Sequence, residues 1–219
     1  MILKSIESFS HCDEMIYSMM RRRHQLFNIV TYRDVEKCLS INSLYFLISV
    51  YLAQGNHMKV IAIPGKVPAT KTWIREVVDA SQIPSLDLYV HSFTAWQHPE
   101  ADFNLAAELP HMPKANCDVV VAKSIGTLAS LKSPNLEANH VIFIGVALSL
   151  YSESDRQHLQ EMAASKPMLV IQQTADPFGA FAELQELLGQ RATCVEVAGN
   201  DHLYNDVDEL GRIIHGWLA

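Results

Sequence analysis

Cysteine is scarce in this chain of 219 residues: only Cys12, Cys38, Cys117 and Cys194 are present, and no two of them make a CxxC pair or another metal-ligand spacing. That spacing argues against a zinc site, and the usage suits a reducing compartment. Cys117 and Cys194 fall in strand-like runs, where a free cysteine behaves as a small buried hydrophobe. Basic residues are also few, 17 Lys and Arg against 24 Asp and Glu for a net charge of −7. A nucleic-acid backbone asks for clustered positive charge, so no nucleic-acid partner is expected. The one basic run, Arg21-Arg22-Arg23, is short and reads as a solvated helix face. Long apolar runs are missing too. The most apolar stretch, LYFLISVYLA over residues 44–53, is about half the length a membrane-spanning helix needs. It also lies too far from the start to be a signal-peptide core. These absences predict a cytoplasmic protein with no membrane partner.

Glycine is missing before Gly55 and proline before Pro64. Segments such as SHCDEMIYSMMRRRHQLFNIV and YRDVEKCLSINSLYFLISVYLA therefore read as two or three helices, a helical N-terminal extension over residues 1–57. Three roles stay open for it: a helical cap, a dimerisation arm that would make the protein a homo-oligomer, or an upstream extension of a core that starts at Met58.

What is present from Met58 onward is a rhythm. Hydrophobic residues make up 49% of the chain, enough for a substantial core, and they gather in six short runs. These are KVIAI (59–63), LDLYVH (86–91), CDVVVA (117–122), HVIFIGVA (140–147), PMLVIQQ (167–173) and ATCVEVA (192–198). Stretches between and after them, such as TKTWIREVVDAS, SESDRQHLQEMAAS and NDVDELGRIIHGWLA, carry apolar residues at helical spacing. Strands apolar on both faces and separated by helices belong in a parallel sheet covered on both sides. The expectation is an α/β fold over residues 58–219, an open, mostly parallel six-stranded sheet with helices on both faces.

Ligands of such sheets bind beyond the carboxyl ends of the strands, so chemistry is sought in the loops that follow them. The third run breaks off in AKSIG, residues 122–126, at Ser124. A strand, a serine and a helix in immediate succession describe a nucleophile elbow, with Ala122 and Gly126 small enough for the tight turn. A serine hydroxyl needs a base, and the base needs a group that holds its tautomer. Asp176 follows the fifth run in QTADPFG, and His202 follows the sixth in GNDH. Each has a purely structural reading: Ser124 as a helix N-cap, Asp176 as an Asp-Pro turn former, His202 as a surface histidine. Asp155 and Asp206 are rival acids, both in helix-opening segments where a carboxylate meets the helix dipole. His215, in the last helical stretch, reads as structural. No GxGxxG or GxxxxGK[ST] follows any strand, which argues against a nucleotide binder.

With Ser124, Asp176 and His202 each just past a strand, in that order, the chain from Met58 to Ala219, roughly three quarters of its length, resembles a small α/β-hydrolase. Counting KVIAI as strand three of that family puts the serine after strand five, the acid after strand seven and the histidine after strand eight. Where the family pattern is GxSxG, Ala122 takes the place of the first glycine, and the two antiparallel leading strands of larger members are missing. The resemblance implies a serine hydrolase with catalytic Ser124, Asp176 and His202 and no metal or organic cofactor. It implies an oxyanion hole made by the backbone N–H of Ile125 and by that of Lys66 or Val67, in the loop where the family often has His-Gly and this chain has Pro64-Gly65. Larger members insert a lid between strands six and seven, and here about twenty residues, one helix, separate them. An unlidded site suits a small acyl substrate, a short ester or thioester, with Trp73, Phe93, Trp96 and Phe178 as candidates for its walls. The alternative is a binding or scaffold protein on the same fold, since fold does not fix function.

Overall fold

Six strands alternate with helices along the chain: β1 (Met58–Ile63), β2 (Leu86–Val90), β3 (Ala115–Lys123), β4 (Leu136–Ile144), β5 (Met168–Gln173) and β6 (Thr193–Val197). They come from a computed structural model that describes residues 57–219 apart from 84, 85, 99 and 101. The helical extension expected upstream of Met58, with Arg21-Arg22-Arg23, Cys12 and Cys38, lies outside the described residues. Gly55–Ala219 forms one compact unit. The helices are α1 (Ala69–Ala80), α2 (Leu105–Glu108), α3 (Ile125–Lys132), α4 (Glu153–Ser165), α5 (Phe181–Leu188) and α6 (Val207–Leu218). Among the described residues no helix is long and apolar enough to cross a membrane.

All six strands are parallel, in the order β2-β1-β3-β4-β5-β6. Successive strand residues point to opposite faces, and each face has its own core. On one side Val60, Ala62, Val119, Val121, Ile142, Ile144, Leu169 and Ile171 pack with Ile74 and Val77 of α1 and Leu210 and Ile214 of α6. On the other, Ile61, Ile63, Val120, Ala122, Phe143 and Val170 pack with Leu128 and Leu131 of α3, Leu159 of α4 and Leu184 of α5. Burial on both faces is why the strands read as continuous apolar runs rather than as alternating ones.

The strand order reverses at β1. The chain leaves β1 for its neighbour on one side, β2, and returns as β3 on the other. The connections after β1 and β3 diverge to opposite faces, α1 to one and α3 to the other, and open a crevice between them. Between β4 and β5 lie a short 3-10 turn, Leu148–Leu150, and α4, with no inserted domain.

One strand departs from its apolar run by more than two residues. β4 begins at Leu136 and ends at Ile144, whereas the sequence suggests 140–147. Its amino end is carried by pairing with β3 alone, Ala115 opposite Leu136 and Cys117 opposite Ala138. Its carboxyl end is cut by Gly145, at φ +61°, where a β-carbon would stand 2.7 Å from the Tyr204 ring and 2.9 Å from Lys123 Nζ.

Candidate active site

Ser124 sits between the last residue of β3 and the first of α3 with φ 55° and ψ −124°, a backbone region that residues other than glycine seldom enter. Its backbone is clamped from both sides. The Ser124 N–H donates to the Ile144 carbonyl at 3.1 Å, while its own carbonyl accepts from the Thr127 N–H at 2.9 Å and the Thr127 hydroxyl at 2.6 Å. Although it occupies the N-cap position of α3, its side chain caps nothing. The hydroxyl stands 2.8 Å from His202 Nε2 instead.

His202 lies in the loop between β6 and α6, at φ 62°, and its side chain is 13% exposed. Four polar contacts fix that loop from below. Gln173, the last residue of β5, accepts the N–H groups of Asp201 and His202 on Oε1 at 3.1 and 2.8 Å and donates its Nε2 to Asp201 Oδ1 at 3.0 Å. Lys123 Nζ donates to the His202 carbonyl at 2.8 Å. The ring's second nitrogen, Nδ1, is 2.7 Å from Asp176 Oδ2.

Asp176 is buried in the turn after β5. Its Oδ1 accepts the Phe178 N–H at 2.9 Å, and its Oδ2 accepts the Tyr204 hydroxyl at 2.8 Å as well as facing His202. Burial alone would push this carboxyl up. The bonds from His202, Phe178 and Tyr204 outweigh it and hold Asp176 below the usual carboxylate range. The rival acids do structural work elsewhere. Asp206 caps α6 through the Glu209 N–H, and Asp155 completes a capping box with Ser152 and pairs with Lys132.

The loop after β1 runs beside the serine: a β-carbon on Gly65 would lie 3.6 Å from Ser124 Cβ. The N–H of Ile125 opens α3 and so has no acceptor within its helix. Lys66 and Val67 are both exposed. Their carbonyls are occupied, Lys66 by the Trp96 indole N–H at 2.7 Å and Val67 by Thr70, while no backbone carbonyl among the described residues takes the N–H of Lys66.

The four aromatic residues divide. Phe178 is 41% exposed, and its ring meets the His202 imidazole edge to face at 4.7 Å. Trp96, on the 3-10 turn Thr94–Gln97, is half-buried and braces the Lys66 loop. Phe93 is a correction. It is 1% exposed, lies in the core against His91, Trp96 and Phe103, and offers no wall to a substrate. Trp73 packs on the core face shared by α1 and α6 and donates its indole N–H to the Tyr204 carbonyl at 3.0 Å, so it supports the histidine loop.

Three residues that sequence reasoning passed over thus prove central: Lys123, Gln173 and Tyr204. Their signal is polarity at the end of an apolar strand, Lys after VVVA and Gln-Gln after MLVI, and an aromatic hydroxyl two places after the histidine. Among the described residues no group of His, Cys, Asp and Glu could hold a metal ion.

No family model matches the sequence, and no curated protein matches it. Solved structures do match the fold. A candidate hydrolase of the alpha/beta superfamily from Xanthomonas campestris pv. campestris superposes with a TM-score of 0.55 at 14% identity, over 74% of this chain and 98% of its own. A haloalkane dehalogenase loop variant from Bradyrhizobium elkanii gives 0.53 at 10% identity over 75% and 90%. The thioesterase domain from the curacin biosynthetic pathway gives 0.50 at 10% identity over 73% and 91%.

Proposed function

We propose, from an α/β-hydrolase fold that carries Ser124, His202 and Asp176 on one sheet edge, that this protein is a serine hydrolase of small carboxylic esters or thioesters. The observation that carries the reading is the unbroken chain of contacts, Ser124 Oγ to His202 Nε2 at 2.8 Å and His202 Nδ1 to Asp176 Oδ2 at 2.7 Å. It supplies a nucleophile, a base within reach of its proton, and an acid that orients the base.

In this mechanism Ser124 Oγ attacks the substrate carbonyl carbon as its proton passes to His202 Nε2. The oxygen of the tetrahedral intermediate takes hydrogen bonds from the Ile125 N–H and from the Lys66 or Val67 N–H, donors fixed before the charge develops. Collapse expels the alcohol or thiol, which leaves with the proton from His202, and the acyl group remains on Ser124. Water then attacks the acyl-enzyme, giving its proton to His202, and the carboxylic acid departs as the proton returns to Ser124. Asp176 stays ionised throughout and stabilises the imidazolium. The absence of an inserted domain between β4 and β5 supports a short acyl group, and the thioesterase among the structural neighbours adds thioesters to the substrates to be tried. Cys117 and Cys194 are unpaired thiols, which supports a cytoplasmic setting.

Labelling with a fluorophosphonate probe, read by intact mass and peptide mapping, tests the reading without a known substrate. A single adduct on Ser124, lost in Ser124→Ala and strongly slowed in His202→Ala, is the expected result. A folded wild type that takes no label would overturn it in favour of a binding protein on the same fold.

A further inference from the structure

Tyr204 follows His202 by two residues, is 3% exposed, and has an uncommon backbone, φ 59°. Its surroundings hold the ring in one place. The Trp73 indole N–H donates to its carbonyl at 3.0 Å, Lys123 Nζ lies 4.3 Å from the ring centroid, and the ring edge occupies the space left by the missing side chain of Gly145. The charged and titratable groups facing it are Lys123 from β3, Asp176 from the turn after β5, and Asp201 and His202 from its own loop.

The hydroxyl oxygen of Tyr204 has two partners, and they are not equivalent. A backbone N–H can only donate, so the contact from the Gln173 N–H at 2.8 Å makes that oxygen an acceptor. A phenol has one proton, and the other partner, Asp176 Oδ2 at 2.8 Å, receives it. The Phe178 N–H points at Oδ1 in the same way. Both carboxylate oxygens are therefore met by protons that belong to other groups, which leaves Asp176 as acceptor only. The hydrogen in the 2.7 Å contact between Asp176 and His202 then resides on Nδ1, the Nε2 lone pair faces Ser124, and the serine hydroxyl donates to it.

We infer that Tyr204 is a positioning residue: it relays the fixed direction of the Gln173 N–H to the Asp176 carboxylate and so holds that carboxylate where it receives the His202 Nδ1 hydrogen and keeps Nε2 aimed at Ser124. The consequence for turnover rests on the hydrolase reading above. The positioning does not.

The experiment uses the full chain with 15N-labelled histidine, the His202 signals being assigned by their loss in His202→Ala. In the wild type at a pH where the ring is neutral, Nδ1 carries the hydrogen and Nε2 does not. Tyr204→Phe keeps the ring and removes the proton; Asp176 stays ionised and the hydrogen stays on Nδ1, but the carboxylate has lost one of its fixed donors, so the Nδ1–H signal shifts and its hydrogen exchanges faster with solvent. In that variant kcat falls roughly tenfold to a hundredfold, the value of one hydrogen bond to a charged group, while KM stays within about threefold because the substrate is not touched.

A wild-type His202 with its hydrogen on Nε2 overturns the inference whether or not the variant folds. So does a folded Tyr204→Phe whose Nδ1–H shift and exchange and whose kcat match the wild type. A wild type that resists the fluorophosphonate while its Nδ1–H signal responds to Tyr204→Phe would instead overturn the hydrolase reading and leave the wiring standing.

Discussion

Gly126 of α3 faces the carbonyl oxygen of Pro64 so closely that an added β-carbon would stand 2.4 Å from it, and 2.5 Å from the carbonyl oxygen of Ile63. Both are backbone atoms, with no flexible side chain to yield. Gly126→Ala should cost about 1–3 kcal/mol of stability as an overpacked contact. It should also slow fluorophosphonate labelling, because the loop pushed aside carries Lys66 and Val67. Gly216 of α6 has nothing within 4 Å of its would-be β-carbon. Gly216→Ala should therefore stabilise by up to about 1 kcal/mol through helix propensity and leave labelling unchanged. Denaturant melts of the two variants check both signs.

Ser124 holds a conformation suited to glycine, φ 55° and ψ −124°. Ser124→Ala and Ser124→Gly both remove the hydroxyl, yet only glycine relieves the backbone. Ser124→Gly should be more stable than Ser124→Ala by about 1–2 kcal/mol, with neither taking the label. Equal stabilities would mean that the elbow stores no strain.

Lys123 is 3% exposed, and burial pushes its amine down to about 7 from an ordinary 10.5, with Asp176 and Asp201 pulling it back only in part. Between those two values the unfolded chain binds more protons than the folded one, so stability rises with pH across the interval. Lys123→Met lacks this dependence. The stability of the wild type relative to Lys123→Met should thus climb from the lower to the upper value, on the order of a few kcal/mol, as read by urea unfolding at several pH values.

Trp96 contributes one polar contact to the site, its indole N–H on the Lys66 carbonyl at 2.7 Å. Trp96→Phe keeps an aromatic ring against Phe93 but frees the loop. The expected result is a fall in kcat of roughly tenfold with little change in KM, the pattern of an interaction that matters in the transition state. A rise in KM alone would place Trp96 in substrate binding instead.

The sheet was legible because parallel strands buried on both faces must be apolar throughout, and six such runs stand out between helical stretches. β1 and β5 match the apolar runs to within one residue at each end. β4 was legible only in its middle. Gly145 stops the strand for a reason that lies in Tyr204, 59 positions later, and no local pattern carries that information. Ser124, Asp176 and His202 could be picked out because a short strand ending in a polar residue is a local event. Phe93 was misjudged because an aromatic residue in a strand-end loop looks the same whether it faces solvent or the core.

By itself the sequence determined where chain segments change direction and which polar side chains stand at those points, since apolar periodicity and turn residues act over a few positions. Only the tertiary structure decided that β1 lies between β2 and β3, opening the crevice beside Ser124. It also decided that Lys123, Gln173 and Tyr204 converge beneath His202. Those contacts join loops far apart in the chain, and their geometry depends on the order in which the strands pair, a property of the assembled sheet and of no single stretch.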